Sequence, residues 1–124
     1  APMIEAILGK MDVKDGSWLL IENIGNLICP AEFVVGEDLK LVVSSAAEGH
    51  DKPLKYPAIF GRSAACVLTK LDIAEAIGFD EGAFRKGIET VAPGLPIFPL
   101  NGRSGAGAGK IAAWLESARS AVRK

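Results

Sequence analysis

The stretch 64-AACVLTK-70 is the clearest indication of the fold class of this 124-residue chain. It is a short run of small and apolar residues that follows the turn-forming Gly61 and ends in a threonine and a lysine. Polar and apolar residues do not alternate within it. The run therefore predicts a strand that is buried on both faces, as in a parallel sheet covered by helices.

Three other apolar runs have the same character. They are 18-WLLI-21, 39-LKLVVSSA-46 and 95-LPIFPL-100. Glycine, proline, aspartate or serine residues lie close to the start of each run, as is typical of strands that follow turns. The four runs together predict a mainly parallel sheet of about four strands.

Helical patterns lie outside these runs. Apolar residues recur at helical spacing over residues 3–8, and Gly9 is placed like the residue that ends a helix. A second apolar stripe extends over residues 111–122 near the end of the chain. Strands alternating with helices predict an α/β structure of three layers, with helices flanking the sheet. No repeat or linker interrupts the chain, so we expect residues 1–124 to form a single domain.

A further helix is predicted between the third and fourth runs, with a defined beginning and end. Asp80 is a suitable N-cap, because its carboxylate can accept hydrogen bonds from free backbone N–H groups. Phe79 and Phe84 are spaced to contact each other across the first turn. Pro93 then stops the helix.

Composition excludes several classes of partner. The net charge is −1, which provides no basic surface for nucleic acid or for an anionic membrane. No apolar run approaches the length of a membrane span, and residues 1–12 lack the pattern of a signal peptide. The two cysteines, Cys29 and Cys66, do not form a disulfide or zinc-ribbon spacing, so a reducing cytoplasm is expected. Cys66 is expected to be a small buried hydrophobic residue.

Unusual motifs follow three of the predicted strands: 22-ENIGN-26, 69-TKLD-72 and 101-NGRSGAGAG-109. In parallel α/β sheets ligands bind at the carboxyl ends of the strands. Each motif alone is weak, since the first spacing arises by chance and a glycine run can be a flexible turn. The Thr-Lys-x-Asp tetrad suits guanine, whose N1 and N2 groups can donate two parallel hydrogen bonds to an aspartate. It is equally consistent with a strand that runs into an Asp-capped helix.

Two longer segments are much more specific. The stretches 21-IENIGNLICP-30 and 48-EGHDKPLKYP-57 closely resemble signature segments of the hydrogenase nickel-incorporation GTPases, the HypB family, which is related to the urease and cobalamin metallochaperone GTPases. The resemblance extends from Met3 to Leu115. It implies the C-terminal part of a P-loop-NTPase-like G domain. It also implies guanine-nucleotide-linked nickel insertion into [NiFe]-hydrogenase, with GTP or GDP and magnesium as cofactors. The hydrogenase precursor and other maturation proteins would be its partners.

The resemblance assigns nucleotide-binding roles to particular residues. Glu22 stands where the family has an acidic residue near magnesium and the γ-phosphate, and the backbone N–H of Gly25 would meet that phosphate. Thr69, Lys70 and Asp72 occupy the guanine-reading motif, with threonine where asparagine is usual.

The remaining assignments concern the guanine loop and a metal. Asn101 and Gly102 lie where the family has Ser-Ala, whose backbone N–H contacts the guanine oxygen. Cys29 stands where the family has a metal-binding thiol, and thiolates suit nickel or zinc. The alternative for Cys29 is a partly buried thiol beside Pro30. His50 lies where relatives commonly carry an acid and is interpreted as a surface substitution.

A P-loop is missing from the sequence. The nearest look-alike, 102-GRSGAGAGK-110, continues with Ile111 and therefore lacks the hydroxyl that holds magnesium. Hydrolysis of GTP by this chain alone is therefore not expected. In Ras-like sheets the P-loop strand lies between the strands equivalent to 18–21 and 39–44. We therefore expect a compact four-stranded sheet, or a homodimer or complementing chain that covers the open edge. A non-enzymatic metal-binding or protein-interaction module and an inactive fragment are the alternative functions.

Overall fold

The computed structural model describes residues 2–22 and 36–122, and the side chains of 5–22 and 36–121. The chain divides into two compact units, 1–37 and 38–124. The first contains helix α1, Pro2–Leu8, which confirms the helix predicted over 3–8. The N–H of Gly9 donates to the carbonyl of Glu5 at 3.0 Å and so satisfies a carbonyl of the last turn.

The second unit alternates strands with helices. In chain order its elements are β1 (Leu41–Ser45), α2 (Lys52–Lys55), α3 (Pro57–Gly61), β2 (Ala65–Thr69), α4 (Glu81–Val91), β3 (Ile97–Leu100) and α5 (Ala108–Val122). The three strands form one parallel sheet in the order β1-β2-β3. The predicted α/β class with a parallel sheet and flanking helices is confirmed.

The number of strands differs from the prediction. Within the described residues the sheet has three strands rather than about four, because 18-WLLI-21 forms no strand. The run is also exposed, and Leu20 keeps 84% of its surface accessible. A strand needs a neighbouring backbone as well as apolar side chains, and apolar content alone does not supply one.

Burial differs between the strands. Residues 65–68 of β2 are buried on both faces, as the sequence predicts. In β1 the burial alternates: Val42 and Ser44 are inaccessible, while Val43 between them is 58% exposed. Val43 is in register with Val67, which is only 6% exposed. Among the described residues, the expectation that every strand is covered on both faces is therefore wrong for β1, which pairs there with β2 alone.

Helix α4 begins as predicted. The Asp80 carboxylate accepts a hydrogen bond from the N–H of Ala83 at 2.9 Å, which makes it the N-cap. The rings of Phe79 and Phe84 are 5.8 Å apart, so the contact predicted across the first turn is confirmed. Phe84 also contacts Phe60 of α3, with 6.3 Å between ring centroids.

Two short helices were not predicted. α2 and α3 span four and five residues, which is too short for an apolar stripe to repeat. Proline near the first position of each, Pro53 and Pro57, was the available signal, because proline is favoured there.

Cys66 lies in the middle of β2 and is fully buried, as predicted. Burial raises the pKa of its thiol from 9.0 to about 12, against a smaller opposing effect of the Arg85 charge. The thiol therefore stays protonated at neutral pH and is a poor metal ligand. None of the helices in the described ranges combines the length and the apolar character needed to cross a bilayer.

Candidate functional site

The carboxyl ends of the three strands lie side by side. Ser45 at the end of β1 is in register with Thr69, and Thr69 is in register with Leu100 at the end of β3. Lys70 directly follows the last residue of β2, and Asn101 directly follows the last residue of β3. The segment that begins at Lys70 and the segment that begins at Asn101 therefore leave the sheet at the carboxyl ends of adjacent strands, as the sequence predicts.

Lys70 marks a sharp change in chain direction. Its φ is 61°, and it is the one non-glycine residue with positive φ in the described part of the chain. That conformation costs roughly 1–2 kcal/mol for a residue with a Cβ. A 3₁₀ turn, Leu71–Ile73, follows, and the N–H of Ile73 donates to the Lys70 carbonyl at 3.3 Å. The turn carries Asp72, whose side chain is exposed.

The loop that follows β3 is held by its own hydrogen bonds. The Asn101 side-chain oxygen accepts from the N–H groups of Arg103 at 3.0 Å and Ser104 at 3.2 Å. The N–H of Asn101 donates to the Ala106 carbonyl at 2.9 Å, and that of Gly105 to the Asn101 carbonyl at 2.8 Å. The side chain, the N–H and the carbonyl of Asn101 therefore all hold this loop in shape.

These bonds also explain why the look-alike 102–110 is a poor phosphate cradle. A P-loop presents several free backbone N–H groups to the phosphates. Here the N–H groups of residues 103–106 and 108 all donate to acceptors within the loop. The loop connects the carboxyl end of β3 to the start of α5, and the resemblance implies a guanine contact there.

Ser45, the last residue of β1, also lies at the carboxyl ends of the strands, and the sequence motifs did not predict it. Its hydroxyl accepts a hydrogen bond from the N–H of Ala47 at 3.1 Å and caps the 3₁₀ turn Ala46–Glu48. The available signal was the pair of serines that ends an otherwise apolar run. Serine at this position turns the chain sharply at the end of β1.

The other predicted site residues lie in the first unit or outside the described residues. Glu22 is exposed at the end of the non-regular run in the first unit. Gly25 and Cys29 lie outside the described residues. Within 2–22 and 36–122, no group of three or more histidine, cysteine, aspartate or glutamate side chains is arranged to hold a metal ion.

A cavity of about 400 Å³ lies at the opposite edge of the sheet. Its lining includes Gly61, Ala64, Val91, Pro93 and Pro96, at the ends of α3 and α4 and before β2 and β3. None of the residues that line it is ionisable. The cavity therefore provides no charged group for a nucleotide or a metal.

The parallel strand order, with polar loops at the carboxyl edge, defines part of a P-loop-NTPase-like α/β domain. HypB from Archaeoglobus fulgidus has a similar structure, with a TM-score of 0.84 and 35% identity, over 93% of this chain and 61% of that one. HypB from Helicobacter pylori, solved in complex with nickel, matches with a TM-score of 0.73 and 29% identity. That match covers 80% of this chain and 46% of the H. pylori chain.

Sequence comparison leads to the same relatives. The hydrogenase maturation factor HypB of Azotobacter vinelandii is 40% identical over 119 residues, which are 96% of this chain and 39% of that protein. No protein-family model matches the chain. The chain belongs to the HypB family of hydrogenase maturation factors. It spans about two fifths of the length of the curated relatives it matches.

Proposed function

We propose that this chain acts in guanine-nucleotide-linked nickel insertion during hydrogenase maturation, as a binding component rather than as a GTPase by itself. The observation that carries the proposal is the strand register. It pairs Thr69 with Leu100, so the segment that begins at Lys70 and the segment that begins at Asn101 leave the sheet from adjacent strand ends. The proposal assigns Lys70 and Asp72 of the first segment, and Asn101 and Gly102 of the second, to the guanine base. The names of the relatives and the nickel-bound neighbour support the biological role.

The side chains that follow the carboxyl ends of β2 and β3 suit a guanine base. Asp72 offers two carboxylate oxygens to the N1 and N2 groups, and the stem of Lys70 can lie along the base. Gly102 can donate its backbone N–H to the guanine oxygen. Phosphate binding is expected to be weak, because the sequence lacks the P-loop that would hold magnesium and the phosphates. The proposal therefore predicts binding that depends on the base and tolerates loss of the γ-phosphate.

Replacement of Asp72 by asparagine tests the guanine site. We expect GDP affinity to fall at least tenfold, because the amide cannot accept two hydrogen bonds and leaves one guanine donor unpaired. Isothermal titration of GDP into wild type and Asp72→Asn measures the change. Glu75→Gln, another exposed carboxylate of the same connection, is the matched control and should bind GDP like wild type. Equal affinity in all three proteins, or no binding by wild type, would contradict the proposal.

We also propose Cys29 as the nickel ligand of this chain, with zinc as the competing ion. Nickel titration of wild type, Cys29→Ala and Cys66→Ala should show loss of the tightest binding in Cys29→Ala only. Cys66→Ala serves as control, because the thiol of Cys66 is buried and has its pKa raised to about 12. Unchanged nickel affinity in Cys29→Ala would remove the cysteine from the proposed site.

A protein-interaction module is the second candidate function, and the edge of β1 favours it. In the described residues β1 pairs with β2 alone, and Val43 on this edge strand is 58% exposed. Unpaired strand edges bind other strands readily. We propose that a strand from another chain pairs with β1. In the purified protein this is a second copy; in the cell it is a complementing chain, the hydrogenase precursor or another maturation protein.

Light scattering and amide exchange test this association. We expect light scattering to give the mass of a dimer. The amides of residues 41–45 should exchange slowly, and their protection should increase with protein concentration. Val43→Lys should produce monomers, because it puts a charge on the apolar face of the edge strand. Val43→Ile should keep the dimer. A monomer at every concentration, with fast exchange at the open edge, would contradict the pairing.

The proposal covers residues 1–124 as one domain in the cytoplasm. The match to the A. fulgidus structure over 93% of this chain supports treating the two compact units as parts of one domain. The spacing of the two cysteines in the sequence does not suggest a disulfide, which supports a reducing compartment.

A further inference from the structure

His50 connects two segments at the carboxyl edge of the sheet. It follows the 3₁₀ turn Ala46–Glu48 after β1, and its Nδ1 accepts a hydrogen bond from the N–H of Asp80 at 3.4 Å. Asp80 is the N-cap of α4 and ends the segment that comes from β2. His50 is exposed, as expected of a surface position, and the structure adds this specific hydrogen bond.

The bond completes the cap of α4. In a capping box the side chain at the third helical position accepts a hydrogen bond from the N–H of the N-cap residue. That position holds Ala83, which has no side-chain acceptor, although its own N–H donates to the Asp80 carboxylate at 2.9 Å. His50 supplies the acceptor from another part of the chain. Because Nδ1 accepts, the imidazole proton of the neutral ring lies on Nε2.

The ring of His50 adds an apolar contact to this bond. It meets Phe79 edge-on, with 6.1 Å between ring centroids. Phe79 then contacts Phe84, and Phe84 contacts Phe60, at 5.8 and 6.3 Å. A row of four rings therefore extends from the loop after β1 into the core. Aromatic pairs at these separations attract one another beyond their burial.

We propose that His50 is a positioning residue for the connection between β2 and α4. It fixes the end of residues 70–80, and this segment carries Lys70 and Asp72 of the candidate guanine site. The inference extends the proposed function: holding the far end of the connection keeps Asp72 in place for the base. The 3₁₀ turn after Lys70 and the turn in which the Phe79 N–H donates to the Ala74 carbonyl at 2.9 Å transmit this restraint.

Two variants separate the acceptor from the ring. His50→Asn keeps an acceptor near the place of Nδ1 and loses the ring, whereas His50→Phe keeps a ring and loses the acceptor. We expect amide exchange at Asp80 to become roughly three- to tenfold faster in His50→Phe and His50→Ala, which is the range for loss of one net neutral hydrogen bond. His50→Asn should restore slow exchange at Asp80. Equal exchange at Asp80 in all four proteins, or rescue by phenylalanine and not by asparagine, would overturn the cap.

GDP titration of the same variants tests the positioning of Asp72. We expect the affinity to fall in His50→Ala and His50→Phe and to recover in His50→Asn, in the order of the exchange rates. A change in exchange with constant GDP affinity would overturn the positioning role. Absence of GDP binding by wild type would contradict the proposed function, while the exchange rates would still decide whether His50 holds the connection.

Discussion

Gly107→Ala is expected to destabilise the protein by about 3 kcal/mol or more. Gly107 has a φ of 94°, in the left-handed region that side chains disfavour. A Cβ at this position would also collide with the carbonyl oxygen of Pro99 in β3. The backbone conformation alone costs roughly 1–2 kcal/mol for a residue with a side chain. The collision adds to this cost, because the obstructing atom belongs to the sheet backbone and cannot rotate away. Urea denaturation of wild type and variant measures the difference.

Two neighbouring glycines provide controls for Gly107. Gly105 has a φ of 79° with open space where a Cβ would lie, so Gly105→Ala should cost only the conformational part. Gly109 lies in α5 with open space around it, and Gly109→Ala should raise stability by roughly 0.5–1 kcal/mol through helix propensity. A cost at Gly107 no greater than that at Gly105 would show that the contact with Pro99 does not matter.

Phe84→Ala is expected to destabilise the protein by about 3–5 kcal/mol, as large-to-small changes of buried aromatic residues do. Phe84 is 0% exposed. Its ring contacts Phe79 at 5.8 Å and Phe60 at 6.3 Å, so its removal leaves a cavity and breaks the row of rings. Chemical denaturation should show a lower transition midpoint with little change in slope.

Conservative and exposed substitutions define the scale of this effect. Phe84→Leu keeps most of the buried volume and should cost clearly less than Phe84→Ala. Ile77→Ala removes a side chain that is 47% exposed and should change stability by no more than about 0.5 kcal/mol. A loss in Phe84→Ala as small as that in Ile77→Ala would mean that Phe84 is not part of the core.

Local chemistry predicted the elements that depend on neighbours in sequence. The cap at Asp80 and the pairing of Phe79 with Phe84 involve residues within five positions, so their spacing was sufficient evidence. The burial of β2 followed from a run without polar residues, because only a central strand can bury both faces. The Thr-Lys-x-Asp motif also begins at the end of its strand as predicted, and the register pairs Thr69 with Leu100, the residue before Asn101.

Other features depend on contacts between residues distant in sequence. An apolar run shows that a segment favours burial, but it does not show whether another backbone pairs with it. For that reason the sequence predicts a strand at 18-WLLI-21 and burial of Val43, and the structure shows neither. The cap that His50 supplies to Asp80 crosses 30 positions, and no local pattern could indicate it.

The family, the α/β class, the central strand β2 and the cap of α4 can all be predicted from the amino-acid sequence. Each of these follows from side-chain chemistry repeated or paired over a few residues. Folding in three dimensions shows that β1 pairs with β2 alone among the described residues, that a Cβ at position 107 would collide with Pro99, and that His50 accepts a hydrogen bond from Asp80. These depend on which backbone atoms meet in space, and a hydrogen bond or a collision exists only after the chain has folded.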